Sequence, residues 1–206
     1  MSTMDPDSDP RELLAAQIAW LESADRDEWH RVMLDFNWGE PLNLLHWIAT
    51  HPDCDLGTAL TMFWLGQPAA WLAEADDFAA EEPDEFSWLN AKICADIAHR
   101  VAAGSYARAE IAFTPDGFTK KDYAELLELT ESLDDPTFPV PRALITSQTG
   151  RTVENDLEFY GRYPQHLRYS TPMELPDFPE WRQTEKKLQK IEKKALRGLP
   201  RWLRKA

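Results

Sequence analysis

Apolar residues recur every three or four positions through most of the first 135 residues, a spacing that gives a helix one apolar face. The longest run predicts a helix over 84–103, and its apolar face carries Phe86, Leu89, Ile93, Ile97 and Val101. The other predicted helices begin at Pro10, Asp25, Pro41, Asp55 and Thr119, with a short one after Pro68. The chain is therefore predicted to be mainly α, a compact bundle of five or six helices.

The pattern changes after Gly104, where a helix-ending glycine is followed by alternating apolar and polar residues. Residues 107–113 are predicted to form a short strand, and residues 140–146 are a candidate for a second one. Seven of the 15 prolines fall between positions 136 and 179, which excludes long helices there. We therefore expect a small β element followed by an irregular, extended segment.

These changes divide the chain into four predicted parts. They are a disordered N-terminus (1–9), a helical core domain (10–135), a Pro-rich segment that wraps the core (136–179) and a basic amphipathic tail (180–206). The nine Trp, nine Phe and five Tyr indicate that the chain folds rather than staying disordered.

The charges are distributed unevenly along the chain. The 22 basic and 36 acidic residues give a net charge of minus 14. The tail has ten basic and three acidic residues, so it carries plus 7 and the remainder carries minus 21. Its central basic residues are Lys186, Lys187, Lys190, Lys193 and Lys194. The sequence leaves open whether this tail docks on the acidic body or on another molecule.

Acidic residues are concentrated in two stretches that are candidates for binding a basic partner. The first is the predicted acidic binding surface, formed by Glu74, Asp76, Asp77, Glu81, Glu82, Asp84 and Glu85. The second marks the last predicted core helix, the one that starts at Thr119, and contains Asp122, Glu125, Glu128, Glu131, Asp134 and Asp135. A solvated surface that keeps the protein soluble is the alternative explanation for either stretch.

The most distinctive segment runs from Asn37 to Trp64 and resembles a bacterial domain family of unknown function, number 4274. The family pattern is Asn-Trp, then Trp-Ile, then Pro-x-Cys-Asp-x-x-Thr-Ala-Leu-x-x-Phe-Trp. The structural motif residues in this sequence are Asn37, Trp38, Trp47, Cys54, Asp55, Thr58 and Trp64. The resemblance spans about residues 15–113 and implies a shared fold, whereas the family carries no established activity, cofactor or catalytic residue.

Few patterns in the sequence indicate catalytic chemistry. The G-x-S-x-G, P-loop, G-x-G-x-x-G and H-E-x-x-H motifs are all missing from the chain. His51 and Cys54 have metal-ligand side chains and are a candidate zinc pair, although a core position is the simpler explanation for Cys54 and is favoured over a metal site. Asp96 and His99 lie three apart on the long helix and are interpreted as a surface pair. No cofactor is predicted, and catalysis by this chain is uncertain.

The leading hypothesis is a non-enzymatic, acidic, cytoplasmic binding protein, for which an immunity or antitoxin-type inhibitor of a basic protein is the concrete form. A cytoplasmic location is expected because the sequence lacks a secretory signal and a membrane-spanning run. One alternative is a metal-dependent or other enzyme that uses the region of His51 and Cys54. Another is attachment to a membrane surface or to nucleic acid through the tail. The oligomeric state is not predicted.

Overall fold

The fold is that of a computed structural model, which describes residues 10–73, 85–134, 136–154, 162–164 and 167. These residues all belong to the first of two units, Met1–Ser170 and Thr171–Ala206. The predictions for the N-terminus (1–9) and for the basic tail (180–206) lie outside the described residues.

The described part of the chain contains seven α-helices and one 3-10 helix. They are α1 (Pro10–Ser23), α2 (Arg26–Asp35), α3 (Asn43–Thr50), α4 (Leu56–Leu65), α5 (Pro68–Ala73), α6 (Glu85–Ala102), α7 (Gly117–Ser132) and a 3-10 helix (Arg142–Ile145). The mainly helical prediction is confirmed; the seven α-helices include the short one expected after Pro68, whereas a bundle of five or six was predicted. Within these residues, no helix combines the length and apolarity that crossing a bilayer requires.

Two of the predicted helix starts are confirmed by side-chain caps. The carboxylate of Asp25 accepts a hydrogen bond from the Glu28 backbone N–H at 2.9 Å. The carboxylate of Asp55 accepts one from the Gly57 backbone N–H at 2.8 Å. Each cap satisfies a donor in the first turn that has no acceptor within its own helix.

Helix α7 begins earlier than the sequence predicted. Asp116, not Thr119, is its N-cap, and the Asp116 carboxylate accepts hydrogen bonds from both the backbone N–H and the hydroxyl of Thr119. Helix α6 ends as predicted, because Gly104 follows it with a φ of 61°, a value that favours glycine.

Helix α6 lies at the centre of the core. It packs against α3, α4 and α5, while α1 packs on α3, α2 on α4 and α7 on α5. Its inward residues Leu89, Ile93 and Ile97 are at most 4% exposed. The predicted apolar face of the long helix is therefore the face that the surrounding helices cover.

The predicted strand at 107–113 is not formed. In the described residues this segment makes isolated bridges, which join Asp55 to Arg108, Ile111 to Arg151 and Phe113 to Gln148. The backbone N–H groups of Glu110 and Ile111 donate to the Asp55 side chain, so a continuous backbone ladder cannot develop. The prediction of a small β element is therefore wrong.

The prediction of a second strand at 140–146 is also wrong. The 3-10 helix occupies most of it, and the Leu144 backbone N–H donates to the Pro141 carbonyl oxygen at 3.0 Å. Around it, Phe138 is buried edge-on against Phe63, and the Trp64 indole N–H donates to the Leu144 carbonyl oxygen at 2.9 Å. This stretch therefore helps to cover the helical core.

Gly57 lies where α4 meets the irregular segment. A Cβ atom at position 57 would lie 2.3 Å from the Ile111 carbonyl oxygen, well inside van der Waals contact. Glycine is therefore required there because of the close backbone approach, despite its cost within a helix.

We expect Gly57→Ala to lower the free energy of unfolding by about 2 kcal/mol or more, because the methyl group must displace backbone. Urea unfolding followed by circular dichroism measures the change. Gly117→Ala is the matched control, since nothing lies within 4 Å of its Cβ position and alanine favours a helix. Equal stabilities for the two variants would contradict the packing account.

Candidate functional site

Asp55 connects the start of α4 to the segment after α6. It is 3% exposed, and Oδ1 accepts hydrogen bonds from the N–H groups of Gly57 and Ile111 at 2.8 and 3.2 Å. Its Oδ2 accepts from the Glu110 N–H at 2.7 Å. A buried carboxylate with three backbone donors is well satisfied and holds both segments in place. Asp55 therefore has a structural role that extends beyond its helix cap.

Thr58 holds α4 against α2. Its Oγ1 lies 2.9 Å from Nδ1 of His30, and the two residues are 1% and 4% exposed. Burial lowers the pKa of His30 to about 4, with Asp55 acting in the opposite direction. The imidazole is therefore neutral at pH 7.

Aromatic rings from α2 and α3 form a second cluster. The ring centroids of Trp29, Trp47 and His51 lie 4.8 to 4.9 Å from one another, and the Arg26 guanidinium carbon lies 3.7 Å from the Trp29 ring centroid. Arg26 also pairs with Asp53 at 2.8 Å, and this hydrogen bond lowers the pKa of Asp53. The rings pack on one another, so the cluster is part of the fold.

His51 and Cys54, the candidate zinc pair, each lie in surroundings that differ from those of the other. Cys54 is fully buried, and burial raises the pKa of its thiol to about 12. His51 Nδ1 accepts a hydrogen bond from the Asp53 N–H at 3.1 Å, so that nitrogen is already in use. Among the described residues, no group of three His, Cys, Asp or Glu side chains is arranged to hold a metal ion. The metal hypothesis for His51 and Cys54 stays a prediction.

Asp96 pairs with residues other than the predicted His99. Its carboxylate accepts hydrogen bonds from His46 Nε2 at 3.0 Å and from Lys92 Nζ at 2.8 Å. Burial raises the pKa of Asp96, but these two hydrogen bonds outweigh it and the net shift is downward. His46 lies on α3, so this group joins α3 to α6.

The remaining motif residues also make internal contacts. Asn37 Oδ1 accepts a hydrogen bond from the Gly39 N–H at 3.1 Å, and Trp38 packs against the core. Trp64 contacts Phe63 edge-on in addition to its hydrogen bond with the Leu144 carbonyl oxygen. The motif therefore specifies the folded structure, and none of its residues is left as an exposed candidate ligand.

Most of the predicted acidic binding surface lies outside the described residues: Glu74, Asp76, Asp77, Glu81, Glu82 and Asp84. Glu85, the seventh member, is the first residue of α6. The second acidic stretch is described except for Asp135; Asp122, Glu125, Glu128 and Glu131 lie on α7, and Asp134 follows its end. We call its exposed members Glu125, Glu128 and Glu131 the acidic face of α7.

Sequence reasoning missed His30 and Arg100. Arg100 donates hydrogen bonds to the carbonyl oxygens of Ala49 and His51 at the end of α3, and its guanidinium lies 4.2 Å from the Tyr106 ring centroid. A cation at a helix C-terminus satisfies carbonyls that have no partner in the helix. The position of Arg100 near the end of the long helix could have indicated its role, because basic residues are favoured there. Nothing in the sequence indicates that His30 contacts Thr58.

The fold and these buried contacts define a helical domain in which the structural motif residues, Asp55 above all, hold the helices and the later segments together. Residues 24–100 match the sequence model of a domain of unknown function, DUF4274. This match confirms the resemblance inferred from the motif. No curated protein and no solved structure matches the chain.

The core extends beyond the matched residues on both sides. Leu13 and Leu21 come from α1, and the later residues that complete the core include Ile111, Phe113, Leu126, Phe138, Leu144, Tyr163 and Leu167. Tyr163 packs edge-on against Trp20, and the Gln17 side-chain amide donates to the Leu167 carbonyl oxygen. The folded unit is therefore larger than the family match.

We expect Asp55→Ala to cost about 3 kcal/mol or more of unfolding free energy, because it removes a cap and leaves two further N–H groups without acceptors. Asp25→Ala is the matched control, since that carboxylate caps a helix but joins no distant segment; we expect about 1 kcal/mol. Chemical denaturation measures both values. Similar losses for the two variants would show that the link to Glu110 and Ile111 adds nothing.

A fragment limited to residues 24–100 should not fold cooperatively, because it exposes the core faces that the flanking residues cover. A fragment of residues 10–167 should retain a single thermal transition and the near-ultraviolet circular dichroism of the full chain. A cooperative transition in the shorter fragment would contradict the larger folding unit.

Proposed function

We propose that this chain is a non-enzymatic, cytoplasmic binding protein whose acidic surface binds a basic protein partner, as an immunity or antitoxin protein binds its toxin. The observation that carries the proposal is the acidic face of α7, where Glu125, Glu128 and Glu131 are exposed. None of the three forms an ion pair with any residue that the structure describes.

The described basic side chains are largely engaged elsewhere in the molecule. Ion pairs link Arg26 to Asp53, Arg31 to Glu28, Lys92 to Asp96, Arg108 to Asp53 and Glu110, Arg151 to Asp27 and Glu110, and Arg162 to Glu28. These pairs neutralise charge within the fold. The carboxylates on α7 keep their charge available for a partner.

The acidic face also includes an apolar contact point. Leu127 is 37% exposed and lies four residues before Glu131, so the two side chains are neighbours on the surface of α7. Interfaces combine a desolvated apolar centre with polar surroundings, and carboxylates accelerate encounter with a basic surface. A partner with lysine and arginine around an apolar residue would match both features.

The two described cysteines support binding in preference to nucleophilic catalysis. Burial raises the pKa of both Cys54 and Cys94, so neither is a thiolate at neutral pH. Cys94 donates weakly to the carbonyl oxygens of Phe63 and Gly66, which is a packing role. Attachment of the tail to a membrane surface or nucleic acid stays an alternative prediction.

The decisive experiment compares two variants with the same charge change. Glu125→Lys with Glu128→Lys reverses the acidic face, and Glu12→Lys with Glu22→Lys reverses exposed charges on α1. Each protein is used for affinity capture from the native host at low salt, and captured proteins are identified and purified for affinity measurement. Genes beside the coding sequence are inspected for a toxin.

We expect the wild-type protein to capture a basic protein, with an affinity that falls as salt is raised. The α7 variant should bind that protein roughly tenfold or more weakly, and the α1 variant should bind it almost as well as the wild type. Failure to capture any basic protein, or equal losses in both variants, would overturn the proposal.

A further inference from the structure

The contact between α2 and α4 contains a titratable group. His30 on α2 is 4% exposed and shares a hydrogen bond with Thr58 on α4, with 2.9 Å between Nδ1 and Oγ1. Helix α4 is also the main helical neighbour of α2. A proton added to this ring would place a charge inside the interface.

The charged groups around His30 only partly offset that cost. Asp55, which precedes α4, and Asp27, on α2, favour the protonated ring, whereas Arg31 on α2 opposes it. Burial, helped by Arg31, outweighs the two carboxylates, so the pKa of His30 falls from 6.5 to about 4. When α2 is separated from α4, the ring regains its ordinary pKa and binds a proton more readily.

Helix α2 also holds residues from much later in the chain. Asp27 pairs with Arg151 at 2.6 Å, and Glu28 pairs with Arg162 at 2.9 Å. The Arg31 Nε–H donates to the Glu154 carbonyl oxygen at 3.1 Å. These contacts join Arg151, Glu154 and Arg162 to α2.

We propose that α2 is an acid-sensitive latch: on acidification α2 separates from α4, with His30 as the group that takes up the proton, and the ion pairs of α2 with Arg151 and Arg162 break. Helices α3, α4 and α6 stay packed, because their mutual contacts do not involve His30. The latch does not depend on the function proposed above.

The sign of the pH effect follows from the lowered pKa. The contribution of neutral His30 to the packing of α2 on α4 is fully present above about pH 6.5. This stabilisation is lost progressively as the pH falls towards 4. Between pH 7 and pH 5 the opening equilibrium constant of α2 should rise about twentyfold.

Hydrogen exchange of the full chain at pH 7 and pH 5, corrected for intrinsic exchange rates, tests the latch. Peptides from α2 should lose about twentyfold in protection, and peptides from the central part of α6 should change little. In His30→Gln, which retains a hydrogen-bonding side chain without the titration, the difference between the two pH values should disappear for α2. Equal protection of α2 at both pH values, or the same pH dependence in His30→Gln, would overturn the proposal.

Nuclear magnetic resonance of the wild-type protein gives a second test that needs no substitution. The His30 ring should titrate well below the ordinary histidine pKa of about 6.5, and its titration should coincide with the opening of α2. Titration of His30 at the ordinary value with α2 still protected would also overturn the latch.

Discussion

The fold depends on one buried carboxylate. Asp55 accepts hydrogen bonds from the backbone N–H groups of Gly57, Glu110 and Ile111. A single side chain therefore joins the start of α4 to a segment that comes more than 50 positions later in the chain. Charge-assisted hydrogen bonds of this kind are strong, and removing the acceptor would leave buried donors unsatisfied. The bridges to Gln148 and Arg151 and the close approach at Gly57 involve the same segment that Asp55 binds.

Because the motif residues serve the fold, the surface is where a binding function must be sought. Thr58, Trp47 and Cys54 each contact other internal groups, whereas the carboxylates of Glu125 and Glu128 face solvent without a partner in the described structure. The family match and the proposed binding surface therefore concern different parts of the chain. This division explains how a specific sequence motif can identify the domain without identifying what it binds.

Local patterns predicted the helices well, because caps and apolar periodicity act over a few residues. The long helix was expected at 84–103 and is found at Glu85–Ala102. The strand expected at 107–113 is not formed because of a residue distant in sequence, since the N–H groups of Glu110 and Ile111 donate to Asp55. The partnership of His30 with Thr58 likewise depends on how α2 and α4 pack, and the spacing of residues along the chain contains no signal for it.

The backbone amides of Glu110 and Ile111 report most directly on the central role of Asp55. Both belong to a segment without regular secondary structure, where amides ordinarily exchange quickly with solvent. If the Asp55 carboxylate holds them as described, hydrogen exchange followed by nuclear magnetic resonance should show both amides protected as strongly as those of α4. Exchange at close to the unfolded-chain rate, with α4 still protected, would contradict the account.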